Sequence, residues 1–383
     1  VLAPAHLEAE VVGRRGGVEI RRVFRIYPDC PAIAAECHVR GRPDHSWKDE
    51  KVDEEAWRDV ERAKKFRKKP PPIPVAERVV LAGRPAAARA VEFHDVTDYC
   101  NNLVESRSVA LSRLPVALRG NLLLVTERLG GGGFFVLREA PCSDRQLAWP
   151  GCDFAADRWE VTVLGLGVNP EDIRETEWTR AYGVVVGVGG DSEESLLESL
   201  REYQHARRPS RPGHDSMVML NNWGDFSRCA NICEAFILAE VEAGARLGVS
   251  HIQIDDGWQA GAFSTAEGPC APRMGGYWDV HRERFPHGLG PVVRRARELG
   301  VEPCLWFCPE SDNSYAGWED NARTLAALWR EHGVRVFKID GVQVPDKTAE
   351  RNFRSLLETV SCRTNGEAFF NLDVTAGQRF GYH

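Results

Sequence analysis

Carboxylates, tryptophans and one lysine lie at or just after the ends of short apolar segments in the second half of the chain. Carboxylates bind hydroxyl groups, and the apolar face of a pyranose packs on an indole ring, so this combination is typical of proteins that act on sugars. Cleavage of a glycoside needs two carboxyl groups, one as nucleophile or base and the other as acid. The segment ends carry Asn222 and Trp223, Asp255 to Trp258, Trp306 to Glu310, Lys338 and Asp340, and Asn371 and Asp373.

Lys338 and Asp340 are the strongest candidates for catalysis. They are two residues apart, so on a strand they project to the same side. An ammonium group stabilises the charged form of a neighbouring carboxylate, which is the form that acts as a nucleophile. A structural salt bridge is the alternative for this pair, and a single aspartate at a strand end is usually a cap or turn residue. Agreement among five segment ends favours the catalytic interpretation.

Strands that alternate with helices must position these residues. The predicted strands are 217–221, 251–254, 301–307, 334–339 and 368–372, and the predicted helices are 233–247, 291–299, 322–332 and 348–360. Such alternation indicates a parallel α/β sheet, either a doubly wound sheet or a TIM barrel. The regular spacing and the polar residues after each strand favour the barrel, whose active sites lie at the carboxyl ends of the strands. A barrel needs eight strands, so we expect a partial barrel in which five or so β/α units precede His383.

The first half of the chain is predicted to be a β-sandwich. Short segments rich in β-branched and aromatic residues, such as 18–27, 122–125, 134–137 and 159–164, are separated by glycine, proline, aspartate and asparagine. A linker rich in arginine and proline follows at 206–213. The predicted fold class is therefore multidomain β plus α/β, with a β-sandwich over 1–205 and a partial TIM (β/α)8 barrel over 206–383.

Composition restricts the classes of partner. The 49 Lys and Arg against 56 Asp and Glu give a net charge of −7, which argues against nucleic acid, and no apolar run approaches the ~18 residues of a membrane helix. The 11 cysteines lack the paired spacing of a zinc site, and no metal or organic cofactor is expected. Dispersed cysteines and the lack of a visible signal peptide favour the cytoplasm, although a missing amino terminus would hide a signal. Association of identical subunits is left open.

Several motifs resemble, in order and approximate spacing, those of glycoside hydrolase family 36, which contains α-galactosidases. These motifs are Asn222-Trp223, Ile254-Asp255-Asp256-Gly257-Trp258, Arg284-Phe285-Pro286-His287-Gly288-Leu289, Leu305-Trp306-Phe307-Cys308-Pro309-Glu310 and Phe337-Lys338-Ile339-Asp340. The resemblance is specific over about 217–383. It is looser over 1–205, where it matches the β-sandwich that those enzymes carry before the barrel.

The resemblance implies a role for each matched residue. Asp340 corresponds to the catalytic nucleophile, and the family's acid/base aspartate follows the next strand, beyond this chain. The implied sugar-binding residues are Lys338 beside the nucleophile, the pair Asp255 and Asp256 at the far side of the galactose ring, the aromatic walls Trp223 and Trp306, and Asp373. The expected function is a retaining glycosidase that cleaves terminal α-galactosides through a covalent intermediate on Asp340.

Two departures from the family pattern leave alternatives open. Cys308 replaces a glutamate that is usual in the family, although Glu310 is kept, and Asp373 stands where a cysteine is typical. The divergent segment 371–379 faces the 2-position of the sugar in the family, so it suggests a transglycosylase or a hydrolase for a modified sugar. A carbohydrate-binding relative without catalysis is the other alternative, and the intact Lys338 and Asp340 argue against it.

Overall fold

The chain divides into two units with different kinds of sheet. The computed structural model describes residues 4–44, 75–93, 104–139, 153–224, 229–261 and 276–373. One unit is formed mainly by Leu2–Ser210, and the other by Arg211–Val344 with Thr348–Gly377. No helix in the described ranges is long and apolar enough to cross a bilayer.

The first unit consists of antiparallel strands and one long helix. The strands are β1 (Leu7–Arg15), β2 (Val18–Ile26), β3 (Ala32–Gly41), β4 (Val75–Val80), β5 (Ala86–Phe93), β6 (Val104–Ala110), β7 (Val116–Leu118), β8 (Leu122–Glu127), β9 (Gly133–Glu139), β10 (Phe154–Ala156), β11 (Glu160–Leu164), β12 (Thr179–Arg180) and β13 (Gly183–Gly189), followed by α1 (Glu193–Arg207). One sheet has the order β1-β2-β3-β13-β9-β8-β5-β6, with β12 on β3, and the second has the order β4-β11-β10-β7. The predicted antiparallel sheets of sandwich type are confirmed.

Strand β8 explains why this unit contains unbroken apolar runs. Leu122 and Leu124 pack in a cluster with Leu196 and Leu200 of α1. Leu123 and Val125 point to the opposite face, where they pack in a cluster with residues of the second sheet. A strand that is covered on both faces has no solvent side, so it is apolar at successive positions rather than at alternate ones.

The second unit is a parallel sheet with helices between its strands. The strands are β14 (Met219–Asn221), β15 (His251–Ile254), β16 (Glu302–Phe307), β17 (Val336–Ile339) and β18 (Phe369–Leu372), and the helices are α2 (Glu234–Leu247), α3 (Gly290–Glu298), α4 (Asp312–Tyr315), α5 (Trp318–His332) and α6 (Lys347–Arg363). The strands pair in chain order, each parallel to the next. The predicted parallel α/β array is confirmed, and closure into a barrel stays a prediction.

The apolar core of this unit lies between the helices and one face of the parallel sheet. Phe337 and Ile339 of β17 are fully buried in one apolar cluster with Leu325 of α5 and Leu356 of α6. Lys338 lies between them in sequence, so its side chain projects from the opposite face of the sheet. Because successive side chains of the strand point to opposite faces, one set fills the core and the other set, which includes the candidate catalytic lysine, lies on the other face of the sheet.

Candidate active site

The strand register aligns the site residues in one row. Lys338 on β17 pairs with Trp306 on β16 and with Asn371 on β18. Two positions further along the chain, the ladder continues, because Asp340 N–H donates to Phe307 O at 2.9 Å and Asp373 N–H donates to Ile339 O at 2.7 Å. The backbone of both aspartates is therefore fixed by the sheet, although both residues lie beyond the strand ends.

The Lys338 ammonium lies among three carboxylates. Its Nζ is 3.2 Å from Asp255 Oδ2, 3.4 Å from Asp373 Oδ2 and 3.7 Å from Asp340 Oδ2. The side chains of Lys338 and Asp255 are 11% and 2% exposed, whereas those of Asp373 and Asp340 are 24% and 32% exposed. The structure thus brings together four of the predicted site residues, with Asp255 as the inner counter-ion and Asp340 and Asp373 as the accessible carboxylates.

Asp255 is held by neighbours at the end of β15 and by Asn222 in the turn after β14. Gln253 Nε2 donates to Asp255 Oδ2 at 2.8 Å, Asp256 N–H donates to Asp255 Oδ1 at 2.9 Å, and Asp255 N–H donates to Asn222 Oδ1 at 2.9 Å. Burial raises the pKa of Asp255 above its ordinary value, although the Lys338 ammonium and the hydrogen bonds from Asp256 and Gln253 act in the opposite direction. Burial also acts to lower the pKa of Lys338, but Asp255, Asp340 and Asp373 outweigh it and raise that pKa.

Both oxygens of Asp340 accept hydrogen bonds. Trp306 Nε1 donates to Oδ2 at 2.7 Å, and the backbone N–H of Gly341 donates to Oδ1 at 2.6 Å. The carboxylate is therefore held in one orientation while about a third of its side chain stays open to solvent. A fixed and accessible carboxylate beside an ammonium is suited to nucleophilic attack.

The remaining predicted site residues occupy different surroundings. Asp256 is 1% exposed and accepts a hydrogen bond from Gln259 Nε2 at 2.5 Å. Trp223 lies half-buried in the turn after β14, where its N–H donates to Asn221 Oδ1 at 3.0 Å. Trp306 is 2% exposed, so its ring presents almost no face to a ligand.

Sequence reasoning named Asn222 but missed Gln253, a buried polar residue that donates to Asp255. Gln253 precedes Asp255 by two residues on the same face of β15, and that spacing was a usable signal. Asn222 Nδ2 and Gln253 Oε1 are buried without a hydrogen-bond partner. No group of three or more histidine, cysteine, aspartate and glutamate side chains in the described ranges is arranged to hold a metal ion.

The turn after Asp340 depends on a glycine. Gly341 has φ +64°, and a Cβ atom at this position would lie 3.2 Å from Cys308 Sγ. We expect Gly341→Ala to lower the free energy of unfolding by about 1–2 kcal/mol, because alanine disfavours the left-handed backbone conformation. The close contact between its Cβ atom and Cys308 should lower the free energy further. Urea unfolding measures the change.

Gly248→Ala is the matched control for that prediction. Gly248 ends α2 at φ +79°, and a Cβ atom there would have nothing within 4 Å. In this variant the loss in the free energy of unfolding therefore comes from the backbone conformation alone. Equal losses in the two variants would show that the Cys308 contact contributes nothing.

Comparisons with known proteins agree with the motifs. The melibiase family model matches residues 194–321, a stretch that contains Asp255, Asp256 and Trp306 and ends before Lys338. An α-galactosidase of Escherichia coli is 33% identical over 140 residues, which is 36% of this chain and 18% of that protein. α-Galactosidase AgaA of Geobacillus stearothermophilus is 25% identical over 164 residues, which is 40% of this chain and 21% of that protein.

A solved structure extends the likeness of fold to nearly the whole chain. The crystal structure of the family 36 α-galactosidase AgaA from G. stearothermophilus matches with a TM-score of 0.62 at 14% identity, over 97% of this chain and 57% of that one. A variant of that enzyme was solved in complex with raffinose. This chain thus shares the fold of that crystal structure and spans little more than half of its length. The predicted resemblance to glycoside hydrolase family 36 is confirmed.

Proposed function

We propose that the protein is a retaining glycoside hydrolase of the α-galactosidase type, which cleaves terminal α-galactosides through a covalent intermediate on Asp340. The observation that carries the proposal is the position of Asp340. Its carboxylate is fixed at both oxygens by Trp306 and Gly341, lies 3.7 Å from the Lys338 ammonium, and is the most accessible of the three carboxylates around that ammonium. The similarity to α-galactosidases supports the choice of substrate.

Two displacements at the anomeric carbon make up the proposed reaction. In the first, an oxygen of Asp340 bonds to the anomeric carbon while the bond to the leaving-group oxygen breaks, and an acid group protonates that oxygen. In the second, water bonds to the anomeric carbon and gives up a proton, and the Asp340 carboxylate is released. We assign no acid/base group among the described residues.

The other site residues have proposed roles in binding. Asp373 is accessible and acceptor-only when ionised, so it can take a hydrogen bond from a sugar hydroxyl. Lys338 balances the charge of the carboxylates, and Asp255 and Asp256 form the polar wall at the end of β15. Trp223 supplies an aromatic surface after β14. A partial barrel built from β14 to β18 is the proposed scaffold.

We expect the full-length protein to release α-galactose as the first product from p-nitrophenyl α-galactoside, because two inversions restore the configuration. A time course by proton NMR, recorded faster than mutarotation, distinguishes the two anomers. β-Galactose as the first product would contradict the retaining mechanism. Binding of galactose without any turnover would instead favour the carbohydrate-binding alternative.

The same sample tests the alternative of glycosyl transfer. Sucrose added as an acceptor competes with water for the intermediate, and product analysis measures the share of each. A hydrolase gives galactose as the main product even with the acceptor present, whereas a transglycosylase gives mainly the longer saccharide. N-Acetylated α-galactosaminide, run in parallel, tests the choice of sugar.

A further inference from the structure

We propose that Trp306 and Trp258 act together as positioning residues for Asp340. In this proposal the indole N–H of Trp306 fixes the carboxylate of Asp340, and the indole N–H of Trp258 fixes the end of β16 that carries Trp306. The catalytic meaning of the pair rests on the proposed role of Asp340. It differs from the role that the resemblance implies for Trp306, which is a wall of the sugar pocket.

The hydrogen bond from Trp306 supports the first part of the proposal, that Trp306 fixes the carboxylate of Asp340. Its Nε1 donates to Asp340 Oδ2 at 2.7 Å, at the short end of the normal range for an N–H···O hydrogen bond. The Lys338 ammonium approaches the same oxygen at 3.7 Å from the neighbouring position of the ladder. The ring of Trp306 is almost entirely buried, so its polar edge is what reaches the site.

The hydrogen bond from Trp258 supports the second part of the proposal, that Trp258 fixes the end of β16. Trp258 is 0% exposed, and its Nε1 donates to the backbone oxygen of Trp306 at 2.9 Å. Trp258 ends the segment that begins with Asp255 and Asp256, so this hydrogen bond joins that segment to β16. Trp278 fills the surrounding space, with its ring centroid 5.9 Å from Trp258, 5.7 Å from Trp306 and 4.1 Å from Phe307.

Loss of either donor has a predictable consequence. The carboxylate torsion of an aspartate is broad, so only external donors fix the plane of the group. Without Trp306 N–H, Asp340 Oδ2 retains the more distant contact with the Lys338 ammonium, while Asp340 Oδ1 still accepts the hydrogen bond from Gly341 N–H. A displacement of about 1 Å in a reacting group lowers rates by about 100-fold, so the expected effect falls on the reaction step rather than on binding.

Indole NMR tests the contacts without any need for activity. In protein labelled with ¹⁵N-tryptophan, Trp306→Phe identifies the Trp306 signal by its loss, and we expect that signal to move in Asp340→Asn. Trp329→Phe is the matched control, because Trp329 also donates to a carboxylate, Glu367 Oε2 at 3.3 Å, outside the site. That control should leave the Trp306 signal in place. A Trp306 signal that does not respond to Asp340→Asn would overturn the first part of the proposal.

The contact of Trp258 is tested in two ways, because a buried tryptophan is costly to replace. We expect Trp258→Phe to move the Trp306 indole signal. In the unchanged protein, we also expect a through-hydrogen-bond coupling between Trp258 Nε1 and the carbonyl carbon of Trp306. Absence of that coupling would overturn the second part of the proposal, whether or not the variant folds.

Kinetics of the full-length protein separate positioning from sugar contact. We expect Trp306→Phe to lower kcat by about 10–100-fold with KM within about threefold of its original value, and Trp329→Phe to change neither. A rise in KM at unchanged kcat would assign Trp306 to the wall of the sugar pocket and overturn the proposal. Complete inactivity of the unchanged protein, together with the expected NMR shifts, would instead count against the proposed function alone.

Discussion

Asp340→Asn is expected to lower kcat of the full-length protein on p-nitrophenyl α-galactoside by roughly 10⁴-fold or more, the size of loss that follows removal of a nucleophile. Asparagine keeps the shape of the side chain, and its amide oxygen can still accept a hydrogen bond from Trp306 or Gly341. The amide cannot form the ester with the anomeric carbon, so the first displacement fails. Initial-rate measurements at saturating substrate give the change.

Asp320→Asn is the matched control for this variant. Asp320 lies on α5, its side chain is 73% exposed, and it forms a surface ion pair with Arg323, so we expect its rate to be unchanged. Equal turnover by Asp340→Asn and the unchanged protein would remove Asp340 from the nucleophile role.

Azide distinguishes a nucleophile from an acid/base group. In Asp340→Ala, azide can enter the space of the carboxylate and bond to the anomeric carbon as the leaving group departs. A single displacement inverts the configuration, so the expected product is β-galactosyl azide. An α-galactosyl azide would place Asp340 in the acid/base role.

Lys338→Met is expected to lower the free energy of unfolding of the second unit by about 3–5 kcal/mol at pH 7, the usual effect of leaving a buried charge without its partner. The stranded charge is Asp255, whose side chain is 2% exposed and lies 3.2 Å from Lys338 Nζ. Urea unfolding gives the free energy, and hydrogen exchange of β17 peptides reports on this unit separately from the other.

The loss should depend on pH in a defined direction. Burial already raises the pKa of Asp255, and removal of Lys338 takes away a charge that lowers it. A carboxyl whose pKa is raised in the folded state contributes stability below its unfolded pKa, and that contribution disappears as the pH rises through the folded pKa. Lys338→Met should therefore differ least from the unchanged protein in acid and most at neutral pH.

The double variant Lys338→Met with Asp255→Asn is the decisive control. It removes both charges, so we expect it to regain most of the stability lost in the single variant. A double variant no more stable than Lys338→Met would show that the loss comes from packing around the lysine stem.

Much of the parallel sheet could be predicted because its strands are short, mainly apolar runs with polar residues at or just after their ends. The helices between them end at Gly248 and Gly333, whose φ values of +79° and +72° fit the positions where the sequence predicted an end. Helix α5 begins four residues earlier than predicted, whereas the starts of α2, α3 and α6 differ from the prediction by one residue. The polar residues Glu319, Asp320 and Asn321 hid the start of α5, because a first helical turn needs no apolar stripe.

The strand pattern predicted that Asp255, Lys338, Asp340 and Asp373 meet at one edge of the sheet, but not which of them pair. Spacing placed Lys338 and Asp340 on one side of β17, but the inner partner of Lys338 is Asp255, 83 residues earlier. That pairing depends on the register between strands, which local spacing does not encode. The same limit hid the donor role of Trp306, since an indole ring signals apolar packing until its N–H is located. The divergent segment after Asp373 lies outside the described residues.

The ladder that aligns Lys338 with Trp306 and Asn371 also limits which changes of length the protein tolerates. β17 has only four residues, and insertion or deletion of one would turn Phe337 and Ile339 toward the site and bury Lys338 among the helices. Changes of length in the connections between strands do not alter the strand register, so the site residues stay aligned. Families of such sequences should therefore vary freely in loop length while the length of β17 stays constant, so a one-residue gap in an alignment at this strand marks a pseudogene or a sequencing error rather than a new specificity.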